Sequence, residues 1–188
     1  MKPNYLTILI TTLCIFFNAC HNSNTAPQLQ LADSLIDKRA DSALCILEKL
    51  SIEEISNKSA KAMYALLLTE ALDKNFKSHR NDSLILIAVD YYKDNSNNKL
   101  KTKAYYLGRV YQDNKEYIKA TEAYLTALKT ASPNQAPILQ IYNNLALCYE
   151  SQEFYLPAIK TYKESYATAE KMQDKYGILH ATRGLGNV

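Results

Sequence analysis

The chain has 188 residues, 47% of them hydrophobic and 22% charged, with a net charge of +3. That length suffices for one core or one short repeat array, and so small a charge excludes the dense basic footprint of a nucleic-acid-binding segment. With only 4 glycines, 5 prolines and no tryptophan, tight turns are few, so long helices joined briefly are expected rather than a many-stranded sheet.

Lys2 opens the chain, and Leu6 to Phe17 form an apolar run. The run is too short for a stable bilayer-spanning helix, which needs about 20 residues, but it has the length of a signal-peptide core. It ends in Phe17-Asn18-Ala19-Cys20. A small residue before a cysteine at this place resembles the bacterial lipoprotein signal, which implies removal of residues 1–19 and acylation of Cys20. Several acyl chains there would hold the protein on a membrane, where one chain alone binds only marginally. Residues 20–27 are polar and lack periodicity, so a flexible tether is expected. No acidic cluster follows Cys20. In some of the lipoproteins this resembles, such a cluster directs export to the surface, so its absence favours a periplasm-facing, lipid-anchored place in the cell envelope.

Residues 28–95 read as two divergent helical hairpins. Leu31, Leu35 and Ile36 form one short stripe. Ala43, Leu44, Leu47 and Leu50 form a second, with Asp41 or Ser42 as its N-cap. Met63, Leu66, Leu67 and Ala71 mark a third helix. Leu84, Ile87, Ala88 and Tyr91 mark a fourth, with Asn81 or Asp82 as cap. Lys74, Lys77, His79 and Arg80 form a basic cluster, read as ordinary solubility with anionic lipid or an acidic partner as the other reading.

Residues 96–188 carry an internal repeat. A shift of 38 lays residues 101–134 on 139–172 without a gap. It places Leu107 on Leu145, Gly108 on Ala146, Tyr111 on Tyr149, Tyr117 on Tyr155, Ala120 on Ala158, Tyr124 on Tyr162 and Ala127 on Ser165. A further shift of 40 takes Leu145 and Ala146 to Leu185 and Gly186, opening a partial unit at 179–188. Ala104, Leu107, Gly108 and Tyr111 share one face of a helix, as do Tyr117, Ala120, Tyr124, Ala127 and Ala131, with the polar turn Gln112 to Glu116 between them. Each unit is thus two antiparallel helices. The small residues allow close approach, and the tyrosines bury their rings while keeping their hydroxyls at polar edges.

Leu107-Gly108-x-x-Tyr111 with Ala120, Tyr124 and Ala127, and Leu145-Ala146-x-x-Tyr149 with Ala158, Tyr162 and Ser165, resemble the tetratricopeptide repeat (TPR). The resemblance implies an all-α superhelix of antiparallel helix pairs. Its period here exceeds the usual ~34 residues. The layout is similar to lipid-anchored TPR proteins of Bacteroidota. Because Val188 falls inside the first helix of the third unit, the chain is expected to be the amino-terminal part of a longer protein, serving as its sensory or interaction arm.

Chemistry-bearing motifs are missing. There is no Gly-rich phosphate loop, no His-Glu-x-x-His zinc helix and no Gly-x-Ser-x-Gly elbow. Gly184-Leu185-Gly186 falls within the repeat's helix signature. His79 and His180 have no acid or nucleophile beside them and read as surface residues. Cys45 and Cys148, in apolar helical stretches, read as small buried hydrophobes. No cofactor, metal or enzyme activity is expected. In the TPR family the first helices of successive units line a concave groove. By position this implies a partner-binding set of Thr102, Tyr105, Arg109 and Gln112, then Gln140, Asn143, Asn144, Leu147 and Glu150, then His180, Arg183 and Asn187. The expected function is therefore a scaffold for a protein or peptide partner. A glycan-binding lipoprotein of an uptake system is the alternative.

Overall fold

The structure is a computed structural model that describes residues 25–79, 81–93, 105–131 and 137–188. The expected signal peptide, Cys20, Arg80, Thr102 and Ala104 lie outside these residues. Among the described residues there is no strand. The α-helices are α1 (Ala26–Leu35), α2 (Ala40–Leu47), α3 (Lys58–Lys74), α4 (Ser83–Tyr92), α5 (Tyr105–Asp113), α6 (Tyr117–Thr130), α7 (Pro137–Ser151), α8 (Tyr155–Met172) and α9 (Lys175–Asn187), with one 3-10 turn at Ile52–Glu54.

Local chemistry explains several of the helix starts. Asn57 Oδ1 accepts the Ala60 N–H at 3.1 Å at the head of α3, and Asp174 Oδ1 accepts from Tyr176 and Gly177 at 3.0 and 3.1 Å at the head of α9, which satisfies N–H groups that have no partner within the helix. Asn81 Oδ1 accepts from both the main chain and the hydroxyl of Ser83 ahead of α4. Pro157 falls in the first turn of α8, where a missing N–H matters little. Two expected boundaries move. α1 begins at Ala26 with Pro27 in its first turn, so the helix takes the last residues of the expected tether 20–27. α2 begins at Ala40 with Arg39 at the cap position, so Asp41 and Ser42 lie inside it.

Successive helices pack antiparallel in pairs, α1 on α2, α3 on α4, α5 on α6 and α7 on α8, and α9 closes on α8. The odd-numbered helices also touch in series, α1 to α3 to α5 to α7 to α9. They form one continuous wall, and the even-numbered helices lie behind it. The main core is drawn from α3 to α7 and includes Ala65, Leu66, Ile85, Ala88, Tyr106, Val110, Ala120, Tyr124, Ile141 and Leu145. A second cluster joins α1, α2 and α3 through Leu29, Ile36, Leu44, Leu47 and Leu67. Leu29, Ile36, Leu47, Leu66, Ile85 and Ile141 are almost fully withdrawn from water, each such side chain contributing about 1.5–3 kcal/mol.

The connection from the first to the second helix of a unit has one recurring form. Phe76, Lys115 and Glu153, spaced 39 and 38 residues apart, adopt left-handed backbone with φ of 54°, 61° and 62°. Each is followed by the same main-chain bond, from Lys77 N to Leu72 O, Glu116 N to Tyr111 O, and Phe154 N to Tyr149 O, at 2.8 to 2.9 Å. This is the Schellman closure of a helix end. It fixes a register in which Leu68-Thr69-x-x-Leu72 stands where Leu107-Gly108-x-x-Tyr111 stands, so the α3–α4 hairpin is a further unit of the same repeat.

Two expected stripes are kept in part: Ile36 and Ala88 are buried and Leu35, Leu84 and Tyr91 are half-buried against the core, but Leu31 and Ile87 are not. In α1 the buried face is Leu29, Ala32 and Ile36, and Leu31 is exposed. In α4 it is Ile85, Ala88 and Tyr92, and Ile87 is exposed. Both helices are apolar on several sides, so the pattern left the phase open, and packing on the neighbouring helix settled it. Cys45 is exposed and Cys148 buried. Cys45 lies one residue off the Ala43–Leu44–Leu47 face.

Candidate interaction groove

The inner wall carries the groove positions, and its two halves differ. In the α3–α5 half the polar side chains are paired with one another. Arg109 Nε donates to Asp73 Oδ1 at 2.8 Å, its Nη1 donates to Gln112 Oε1 at 3.1 Å, and its Nη2 lies 3.7 Å from Asp113 Oδ1. Burial opposes the charge of the guanidinium, yet Asp73, Tyr124 and Asp113 around it raise its pKa overall. The Tyr124 hydroxyl donates to the same Gln112 oxygen at 2.7 Å. Lys74 bridges Asp37 at 2.6 Å and Glu70 at 3.2 Å. Tyr105 is buried, stacked near Tyr106 and Tyr124, and donates its hydroxyl to Gln140 Oε1 at 3.2 Å. Burial pushes its phenol up to about 12.

Arg109, Gln112 and Tyr105 therefore hold the wall together, contrary to the expectation that packing leaves their identities free. Asn143 is also engaged, its Oδ1 accepting from Ser165 at 2.9 Å. Of the basic cluster expected around residue 77, the two lysines are paired as well. Lys74 has its two carboxylates, and Lys77 pairs with Glu48 at 3.1 Å. His79, expected at the surface, is buried, with Nδ1 2.7 Å from Asp113 Oδ2.

The α7–α9 half is open. Leu147 is 43% exposed, an apolar side chain at the position held by Arg109 one unit earlier. Gln140, His180, Arg183 and Asn187 are exposed, and Asn144 and Glu150 are half-buried. The arrangement offers an apolar contact flanked by an arginine, a histidine and amides. It contains no nucleophile held beside a base. Among the described residues no cluster of three or more His, Cys, Asp or Glu side chains could hold a metal ion, and no helix is long and apolar enough to cross a membrane.

Asp73, Glu70, Asp113 and His79 were missing from the expected groove. The signal that places the first two is the register of the degraded unit, which sets Glu70 on Arg109 and Asp73 on Gln112. The comparisons bear on the second half of the chain. Residues 101–171 match the family model described as Tetratricopeptide repeat, which supports that family for the units at 101–134 and 139–172. No curated protein and no solved structure matches the chain.

Proposed function

We propose that the chain is a non-catalytic scaffold that binds a protein or peptide along the open half of its inner wall, while an acylated Cys20 holds it on the envelope membrane, facing the periplasm. The reading rests on the division of the wall. Its α3–α5 side chains are consumed by internal pairs, whereas Leu147 on α7 and His180, Arg183 and Asn187 on the adjacent α9 are exposed. An apolar centre with a polar rim is the composition of protein-binding patches. A repeat wall presents such a patch to an extended or helical segment without any moving part. Within a longer regulator the same surface would serve as its sensory arm.

Site-specific photocrosslinking tests this. A crosslinker at position 147 or 183 should trap one and the same polypeptide in the native envelope, and a crosslinker at the exposed Lys163 on α8 should not. Equal trapping from all three positions, or saturable binding of oligosaccharides in place of a polypeptide, would overturn the assignment. Mass spectrometry of the mature amino terminus tests the anchor separately, with an acylated cysteine at residue 20 as the expected result.

A further inference from the structure

The turn into α8 exposes an unbroken apolar run. Phe154, Tyr155 and Leu156 are all exposed, and the exposed Pro157 follows them. Runs of this kind facing water mark a surface that something covers. The fold does not demand them. One unit earlier the same backbone, closed by the same main-chain bond, carries Glu116, Tyr117, Ile118 and Lys119. Ile118 and Leu156 occupy one position of the repeat and are 69% and 81% exposed. Gln152 Nε2 donates to Thr121 Oγ1 at 3.0 Å, which holds the α7–α8 turn beside α6. The two aliphatic side chains therefore belong to one surface, on the even-numbered helices. A cavity of about 490 Å³ opens between those helices, with Leu125 of α6 and Leu156 of α8 among its walls.

Charge at equivalent positions of this surface reverses from one unit to the next. Lys115 answers to Glu153, and Glu122 answers to Lys160, and all four are exposed. Glu116 and Lys119 pair with each other, whereas these four enter no ion pair among the described residues. A two-fold axis lying in the surface between α6 and α8 sets each unit of one copy against the other unit of its mate. Ile118 of one copy then meets Leu156 of the other, Lys115 meets Glu153, and Glu122 meets Lys160, each contact being made twice. We propose that this face binds a second copy of the chain in that register. Two positive and two negative charges cancel, so the face offers no field to a strongly acidic or strongly basic partner, while it complements itself. An apolar centre flanked by charges is the composition of such contacts. The inner wall lies on the odd-numbered helices and stays open in the pair.

The test is oxidative cross-linking of the full chain in intact cells, with Cys45→Ser throughout because Cys45 is exposed. Chains carrying Ile118→Cys and chains carrying Leu156→Cys are produced together under different tags. A disulfide needs Cα atoms within about 7 Å, so the two tags should be joined at about five times or more the yield of same-tag pairs. Lys129→Cys with Lys171→Cys, in the last turns of the same two helices, should stay unlinked. Lys115→Glu should lower the mixed yield about fivefold or more by setting like charges opposite one another, and Glu153→Lys added to the same chain should restore it. All these positions are exposed, so the thermal midpoint of each variant should stay near that of the parent. Mixed linkage no greater than same-tag or control linkage, disulfides to a different polypeptide in place of a second copy, or a yield indifferent to the charge reversal would overturn the proposal.

Discussion

The Tyr124 ring lies across the bare backbone of Gly108, so a Cβ added there would collide with Cε1, Cδ1 and Cζ of that ring. Tyr124 is fully buried and its hydroxyl is tied to Gln112, so it has nowhere to go. Tyr162 covers Gly184 in the same way, and nothing lies within 4 Å of a Cβ at Gly186. Gly108→Ala and Gly184→Ala should therefore each destabilise by about 1–3 kcal/mol through overpacking. Gly186→Ala should be neutral or stabilise by up to about 1 kcal/mol, because alanine is the better helix former. Urea unfolding midpoints check all three. A loss at position 186 as large as at 108 would contradict the packing.

Phe76 breaks a local rule. It holds φ at 54°, which a side chain with a Cβ resists, and its ring is 99% exposed. Glycine accepts that backbone without penalty. Phe76→Gly should raise stability by up to about 1 kcal/mol while removing no packing, seen as a higher urea midpoint at unchanged slope. A drop would mean that the ring makes a contact in solution.

The two units at 101–172 were legible because every structural position keeps its kind of residue. Leu107 answers to Leu145, the small Gly108 to the small Ala146, and the buried Tyr124 to the buried Tyr162. The α3–α4 unit was not, because Thr69 and Leu72 replace the small residue and the tyrosine, and because the connection from Phe76 to Ser83 is longer than that from Lys115 to Tyr117. The expected α9 positions came from a shift of 40 that sets Gly186 at the close-approach place, whereas Gly184 takes that place under Tyr162 and nothing lies within 4 Å of a Cβ at Gly186, so the partial third unit follows at 38. The pairing of Arg109 with Asp73 was not legible, since those residues are far apart in the chain and only the α3–α5 contact brings them together.

That pairing separates two arginines that register alone treats alike. Arg109 is largely buried between Asp73 and Asp113, whereas Arg183 is exposed on α9. Arg109→Ala leaves Asp73, only 14% exposed, without its partner and should destabilise by about 1–3 kcal/mol. Arg183→Ala should stay within about 0.5 kcal/mol of the parent. Arg183 is accordingly the clean probe of binding. Its substitution should weaken partner capture with the thermal midpoint unchanged, and Arg109→Ala should move both.

Cys148 and the tyrosines around it set the alkaline limit. Burial pushes the Cys148 thiol up to about 12 and the Tyr105 phenol also to about 12, and it raises Tyr124 and Tyr106 further. In the unfolded chain the same thiol ionises near 9 and the phenols near 10. Between those values and about 12 the unfolded state has released protons that the folded state still holds, so stability should fall steadily as the pH climbs from about 9. Below that range these groups contribute no slope. The thiolate is the reactive form, so an alkylating reagent at neutral pH should modify the exposed Cys45 in the native protein while Cys148 reacts only after denaturant is added. Peptide mapping of the labelled sites checks the order. Modification of Cys148 at the rate of Cys45 in the absence of denaturant would show that the α5–α7 core opens far more readily than its packing implies.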